Sequence, residues 1–237
     1  MIWASAIALY RIWNNSAEMK LQQLSRALLI LFCATCLFAQ APLPGLRVEP
    51  ATGSSILFVH NAATQPPLTA FLVELVHYPG SYYQLWEDDI TAQPIAPDAE
   101  KRISISNMTV GAVPNYVKVT AAIYADGTTS GVPEKVAQLI ARRKFLLQIT
   151  RELMAKLDKA HAGGGPASTA ASDLKQWADS LPALTRSTQN SQDAINQSAA
   201  KTLISETAAQ LAAHSIEETL ASLHSSESAL TASKPSL

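Results

Sequence analysis

Three consecutive carboxylates, Glu87, Asp88 and Asp89, form a dense group of potential ligands in this chain of 237 residues. They follow Trp86, at the end of an aromatic-rich run that is typical of a β-strand. Carboxylate oxygens are the ligands that Ca²⁺ prefers, so the run is a candidate cation site in a secreted protein. Neighbouring side chains on a strand point to opposite faces, however, and the spacing of a calcium loop is missing. We therefore favour a solvated, acidic strand end and predict no bound metal or cofactor.

The histidines and serines form no recognisable catalytic motif. The five histidines are His60, His77, His161, His214 and His224. No two are four residues apart, and a two-histidine metal site at His60 and His77 would need further ligands that the sequence does not identify. No serine lies in a Gly-x-Ser-x-Gly motif, and no nucleophile has an evident base partner. We predict no catalytic residues and a non-enzymatic protein.

Arg142, Arg143 and Lys144 form the basic cluster of the chain. In a helix these three residues spread over about 200° of the helical wheel and make no single basic face. We expect them to extend from an apolar stripe into water, with attraction to anionic lipid or polysaccharide as the alternative. The formal net charge of −1 excludes a globally basic nucleic-acid-binding protein.

The N-terminal region resembles a secretory signal. Lys20 and Arg26 precede 13 uncharged residues, 27–39, and a polar, proline-containing stretch follows. This apolar run is short for a membrane span, which needs about 20 residues. We assign residues 1–41 to an N-terminal extension and signal peptide, with Met19 as an alternative start of translation. An uncleaved membrane anchor and a buried helix are the other interpretations. Both cysteines, Cys33 and Cys36, lie in this run, so we expect the rest of the fold to need no disulfide.

Residues 46–131 have the pattern of an antiparallel β-sandwich. Short apolar runs rich in β-formers alternate with turn-forming residues such as Pro66-Pro67 and Asp126-Gly127, and no helical pattern lies between them. The run 68–78 is apolar on both faces, as in a central strand, whereas 115–124 alternates as a half-buried strand does.

Two stretches of this region resemble bacterial immunoglobulin-like domains. Val59-His60-Asn61, followed by Pro67-Leu68-Thr69-Ala70-Phe71, is similar to their strand end and next strand start. Ile95-Ala96-Pro97-Asp98, before Arg102-Ile103-Ser104-Ile105, resembles their Pro-Gly turn, with Asp98 in place of the usual glycine. The resemblance implies a secreted sandwich used for adhesion or as a spacer, and transfers no catalytic residue.

The chain becomes helical after the sandwich. Apolar residues recur at spacings of three and four after Pro133 and predict one long amphipathic helix over 132–162. Residues 163–171, rich in Gly, Pro and Ser, are a predicted hinge, and 172–224 an Ala/Ser/Thr-rich helical region. In that region we expect a short helix capped by Ser172, then a second long helix over 191–223. Residues 225–237 are predicted to be a disordered tail.

The fold class is thus mainly β plus α: a signal or anchor segment, an immunoglobulin-like sandwich, a long helix and a helical C-terminal region. We expect an exported cell-envelope or secreted protein, a non-enzymatic binding or spacer module whose helices serve packing or oligomerisation. Its expected partners are an unidentified protein or envelope component, or a second copy bound through the helices. We expect no nucleic acid, and membrane contact only through an uncleaved N-terminal segment. One alternative is a secreted hydrolase or enzyme inhibitor acting through the sandwich loops; the other is a membrane-anchored assembly factor acting through the helix, with its bulk outside the cytoplasm.

The signal assignment predicts that the exported protein lacks its first ~40 residues, because signal peptidase removes the apolar run. Fractionation of expressing bacterial cells, with N-terminal sequencing of the product, measures this. Sequence starting between Gln40 and Pro42 in an exported fraction is the expected result. Protein in the soluble cytoplasmic fraction with its N-terminus intact would contradict it.

Overall fold

A computed structural model of the protein describes residues 41–52, 54–77, 81–106, 116–185, 188 and 191–237. The predicted signal peptide and both cysteines lie outside these residues. The described elements are seven strands and four helices: β1 Gly45–Ala51, β2 Ser54–His60, β3 Leu68–His77, β4 Ser81–Asp88, β5 Glu100–Ser106, β6 Tyr116–Tyr124, β7 Thr129–Gly131, α1 Pro133–Ala162, α2 Ala167–Ser180, α3 Gln192–Gln210 and α4 Ile216–Thr231. None of these helices is long and apolar enough to cross a membrane.

The strands form two antiparallel sheets, which confirms the β-rich prediction for the middle of the chain. One sheet has the order β1-β2-β5 and the other the order β4-β3-β6-β7. Leu57 and Val59 of the first sheet share a buried core with Phe71 and Val73 of the second. The two sheets therefore pack face to face around apolar side chains, as in a sandwich.

Strand β3 is buried on both of its faces, as its apolar sequence predicts. Phe71 and Val73 lie in the core between the sheets, whereas Ala70 and Leu72 pack against Val136 and Leu139 of α1. Successive side chains of a strand point to opposite faces, so β3 serves two cores at once. The described part of the chain consequently has three layers: sheet, sheet and helix.

Helix α1 begins at Pro133 and continues for 30 residues, which confirms the predicted long helix. Proline is well placed in the first turn because its missing N–H would have no partner there. The first half of the helix packs on the four-stranded sheet, and its second half, with Ile149, Leu153 and Leu157, packs on the other helices. At 1.5 Å per residue the helix is about 45 Å long, which is why it extends beyond the sheet.

The predicted second long helix is in fact two helices, α3 and α4, separated at residues 211–215. Ser215 accepts a hydrogen bond from the backbone N–H of Glu218, and the Glu218 carboxylate accepts one from the N–H of Ser215. This reciprocal cap starts a new helix and satisfies two backbone donors that would otherwise be left over. The Ser-x-x-Glu pattern was the sequence signal for the break.

Two further boundaries differ from prediction. Helix α2 begins at Ala167, directly after Pro166, so Ser172 lies inside the helix and the hinge is short. Residues 225–237 are not a disordered tail, because α4 continues to Thr231 and Leu230 is 4% exposed. Burial of Leu230 against the rest of the protein supplies the stabilisation that composition did not reveal.

Gly131 sets the junction between β7 and α1. Its φ is +99°, in the region that favours glycine, and a Cβ there would collide with the carbonyl of Thr120. Gly164 also has a positive φ, +64°, but a Cβ would meet nothing within 4 Å.

We predict that Gly131→Ala lowers the free energy of unfolding by about 2–4 kcal/mol, from backbone strain and collision together. Gly164→Ala is the matched control and is expected to cost about 1 kcal/mol, from strain alone. Urea unfolding of both variants measures the difference. Equal costs would contradict the close approach at Gly131.

Candidate functional site

Arg143 is buried in the contact between α1 and the sheet, with its side chain 1% exposed. Its Nε and Nη2 donate to the two carboxylate oxygens of Asp88, at 2.6 and 2.9 Å. Nη2 also donates to Thr69 Oγ1 at 2.9 Å, and Nη1 donates to the carbonyl of Lys234 at 3.2 Å. Thr69 in turn donates to the carbonyl of Ile123. One guanidinium thus connects α1 to β4, β3 and the C-terminal segment.

This arrangement corrects the prediction for the basic cluster. Arg143 does not extend into water but forms a two-pronged pair with a carboxylate, a geometry that suits the planar guanidinium. Lys144 is exposed, as expected. A buried charge is stabilising only when its hydrogen bonds are satisfied, and Arg143 has four such bonds.

The acidic run is divided between two ion-pair clusters on opposite faces of the chain. Asp88 pairs with Arg143, while Glu87 and Asp89 both accept hydrogen bonds from Lys101 Nζ on β5, at 2.8 and 2.6 Å. Glu87 and Lys101 thereby join β4 and β5, which belong to different sheets. The expected solvated strand end is corrected, because the Asp88 and Asp89 side chains are 8% and 11% exposed.

The environment of Lys101 favours its charged form. Burial lowers the pKa of Lys101, but hydrogen bonds to Asp89 and Glu87 and their charges outweigh burial, so its pKa lies above the usual 10.5. Because folding raises the pKa of Lys101, the stabilisation that this cluster gives the folded state is fully present below pH 10.5, the usual lysine pKa. The contribution is lost as pH rises through the raised pKa.

The histidines and the acidic run do not come together. His60 lies on the three-stranded sheet, 3.8 Å from Asp98, and His77 lies at the far end of β3 from the residue that pairs with Asp88. Seven residues of strand separate these positions, about 23 Å. Among the described residues, no group of three His, Cys, Asp or Glu could hold a metal ion.

A cavity of about 700 Å³ lies beside the Arg143–Asp88 pair. Strand β4, helices α1, α3 and α4, and the segment between α2 and α3 form its walls. Apolar side chains cover much of the wall, and they include Leu146, Ile195, Leu203 and Leu230. This volume lies within the range of about 300–1,000 Å³ that is usual for small-molecule sites.

Each helical wall is one face of its helix. Arg142, Leu146 and Thr150 on α1 are four residues apart, so they line up along the cavity. Ser226 and Leu230 on α4 have the same spacing. Strand β4 contributes Trp86 and Asp88, which alternate with Glu87 and therefore lie on its other face.

Two residues that line the cavity each have a nitrogen donor that is inaccessible to water and has no hydrogen-bond partner among the described residues. These donors are the indole Nε1 of Trp86 and the Nε of Arg142, and both atoms are buried. The guanidinium carbon of Arg142 lies 5.8 Å from the centre of the Trp86 ring, within range of a cation–π interaction. An unsatisfied buried donor costs about 1–3 kcal/mol, so two neighbouring ones are a notable feature of a native structure.

Arg142 is a cation in a partly dry environment. Burial lowers its pKa, while the charges of Asp88 and Glu87 act to raise it. Both carboxylates are already bonded to Arg143 and Lys101. An arginine remains protonated at neutral pH, so the cavity contains a positive charge without a hydrogen-bonded partner in the described chain.

Sequence reasoning identified Arg142 as basic but did not find the cavity. Trp86 was recognised only as part of a strand, and the wall residues of α3 only as sparse apolar anchors. The signal that could have indicated a site was the i, i+4, i+8 alignment of Arg142 with Leu146 and Thr150.

We predict that Asp88→Asn lowers the free energy of unfolding by about 3–5 kcal/mol, because it leaves the Arg143 charge buried and unpaired. Asp89→Asn, the same change one residue away, is expected to cost about 1 kcal/mol or less, because Lys101 keeps Glu87 and is partly exposed. Urea unfolding measures both. The double variant Asp88→Leu/Arg143→Met, which removes both charges, is expected to recover most of the loss. Equal destabilisation by the two single variants would contradict the assignment.

Comparison of the chain with protein-family models, with curated proteins and with solved structures finds no match. The functional assignment therefore depends on the residues and geometry described above.

Proposed function

We propose that this chain is an exported, non-enzymatic binding protein of the cell envelope, which holds a small ligand between an immunoglobulin-like sandwich and its helical layer. The cavity of about 700 Å³ between β4 and the helices is the observation that carries the proposal. Apolar atoms form the larger part of its wall surface, as is usual for ligand sites, and polar side chains are interspersed among them.

The helices have a defined part in this proposal. The apolar stripe of α1 is covered by the sheet at one end and by α2, α3 and α4 at the other. Because the chain itself covers this stripe, we favour a role of the helical region as a wall of the cavity over a role in oligomerisation.

Strand order supports an immunoglobulin-like sandwich. Strands one, two and five face strands four, three, six and seven. In constant-type immunoglobulin domains the strands A, B, E and D form one sheet and C, F and G the other. The present order differs in one strand: the fourth strand, β4, pairs with β3 in the second sheet instead of joining β5 in the first. Buried Asn61 donates to the carbonyls of Pro66 and Ile95 at the end of β2. Asp98 has a φ of 61°, the conformation for which the resembling turns use glycine.

Two side-chain hydrogen bonds hold residues 41 and 42, which directly follow the proposed signal peptide, against the sandwich. Tyr124 donates from its hydroxyl to the carbonyl of Pro42 at 2.7 Å, and Ser130 donates to the carbonyl of Ala41. Burial raises the pKa of Tyr124, which keeps this hydroxyl protonated. The segment directly after the proposed signal peptide is thus attached to the sandwich by side-chain hydrogen bonds.

The proposal predicts that a neutral apolar dye binds in the cavity and that filling the cavity removes this binding. The dye is N-phenyl-1-naphthylamine, whose fluorescence rises in apolar surroundings, and the full-length protein is used. Thr202 lines the cavity from an exposed position on α3, so Thr202→Trp adds a large ring to the wall. We expect at least about a tenfold loss of dye affinity.

Ser205→Trp is the matched control, because Ser205 is exposed on the same helix but does not line the cavity. It is expected to bind the dye as the native protein does. Absence of dye binding to the native protein, or equal binding by the two variants, would argue against the cavity as the binding site.

A further inference from the structure

We propose that the cavity is specific for an uncharged, unbranched hydrocarbon chain, as in a long-chain alcohol, which lies lengthwise along α3. This inference rests on the proposed binding function and names its ligand class. It is supported by the length of the cavity, by the balance of charges around it, and by the hydrogen bonds that its hydroxyl groups already make.

The cavity is longer than it is wide. Its lining residues on α3 recur every three or four positions from one end of the stripe to the other, and they are Ile195, Ser198, Ala199, Thr202, Leu203 and Glu206. At 1.5 Å per residue this stripe is about 16 Å long, so a volume of about 700 Å³ corresponds to a width of about 7 Å. An elongated ligand therefore fits the cavity better than a compact one.

The charges around the inner wall are balanced, which favours an uncharged ligand. Three cations and three carboxylates lie there: Lys101, Arg142, Arg143, Glu87, Asp88 and Asp89. Because Glu87 and Asp89 share Lys101, a carboxylate remains to compensate Arg142. Glu206 adds a further negative charge to the wall from an exposed position on α3. An anionic head group would meet this charge without a surplus cation, so we expect anions to bind more weakly than neutral molecules with the same chain.

The hydroxyl groups of the helical walls favour a hydrocarbon over a peptide. Thr150, Thr202 and Ser226 each donate to the backbone carbonyl four residues earlier in their own helix. A bound peptide brings one N–H and one C=O per residue, and its carbonyls would find these donors already used. A hydrocarbon chain brings no polar group that needs a partner, so its burial leaves no hydrogen bond unmade.

Apolar side chains line the cavity on several sides. Leu146 on α1, Leu203 on α3 and Leu230 on α4 belong to its walls. Tyr83 and Leu184 also line it, and they are large apolar side chains that are 47% and 45% exposed. A hydrocarbon chain that lies against them removes apolar surface from water, which adds to its affinity.

The first test measures the effect of chain length. Hexan-1-ol, octan-1-ol and decan-1-ol are each titrated against the full-length protein by isothermal titration calorimetry, below their aggregation concentrations. We expect affinity to rise at least about tenfold from each alcohol to the next, because burial of each added CH₂ group raises affinity about three- to fourfold. Decanoate, which has the same number of carbon atoms as decan-1-ol and a negative charge, is expected to bind at least about threefold more weakly than decan-1-ol.

The second test shortens the cavity. Ser198 lines it near one end of the α3 stripe, so Ser198→Trp fills that end. We expect decan-1-ol affinity to fall at least about tenfold, whereas hexan-1-ol, which does not need the full length, keeps its affinity within about twofold. Ser205→Trp is the matched control on the exposed side of the same helix and is expected to leave both affinities unchanged. If Ser198→Trp does not fold by circular dichroism, Ser198→Leu replaces it, with an expected loss of decan-1-ol affinity of about threefold.

The possible failures are distinguishable. If the native protein binds neither the dye nor any of the alcohols, the proposed binding function fails. If the dye binds but hexan-1-ol and decan-1-ol have equal affinities, or decanoate binds as tightly as decan-1-ol, binding stands and the ligand class is overturned. Equal losses of hexan-1-ol and decan-1-ol affinity in the Ser198 variant would likewise overturn the lengthwise position of the chain along α3.

Discussion

The buried pair of Arg143 and Asp88 is the constraint on which the arrangement of sandwich and helices depends. A guanidinium without water must have its hydrogen bonds met by protein, and this one has partners on β4, β3 and the C-terminal segment. All four hydrogen bonds can form together only when α1 lies on the sheet in one rotational orientation and at one position along its axis. The pair therefore specifies a geometry, which apolar packing alone defines less sharply.

Fixing α1 in this way also determines what its neighbouring residues do. Arg142 is one residue from Arg143, about 100° around the helix, and this rotation takes it from the sheet contact to the cavity beside Trp86. Two adjacent arginines thus have different environments: Arg143 is buried and paired with Asp88, whereas Arg142 lines the cavity. The acidic strand is divided by the same principle, since alternation along β4 sends Asp88 to the helices and Glu87 to Lys101.

Long regular patterns in the sequence predicted elements well, and local interruptions were harder to interpret. The double-sided apolar run of β3 and the apolar spacing of α1 are strong signals, because many residues repeat them. The break at Ser215 and the start of α2 at Pro166 depend on single residues, and the Ala/Ser/Thr-rich composition around them makes helix ends hard to place. The C-terminal segment was predicted to be disordered because its stabilisation comes from contacts with distant parts of the chain, including the bond from Arg143 to Lys234.

The sequence by itself determined the class of each region: an apolar N-terminal run, a β-rich middle, a long helix and a helical end, with no evident catalytic motif. These properties follow from periodicity and turn chemistry, which act over a few residues. Only the tertiary structure decided which charges meet, because Asp88 and Arg143 are 55 residues apart in the chain and on elements of different type. The same holds for the cavity, whose walls come from β4 and the residues after it, from three helices and from the segment between α2 and α3.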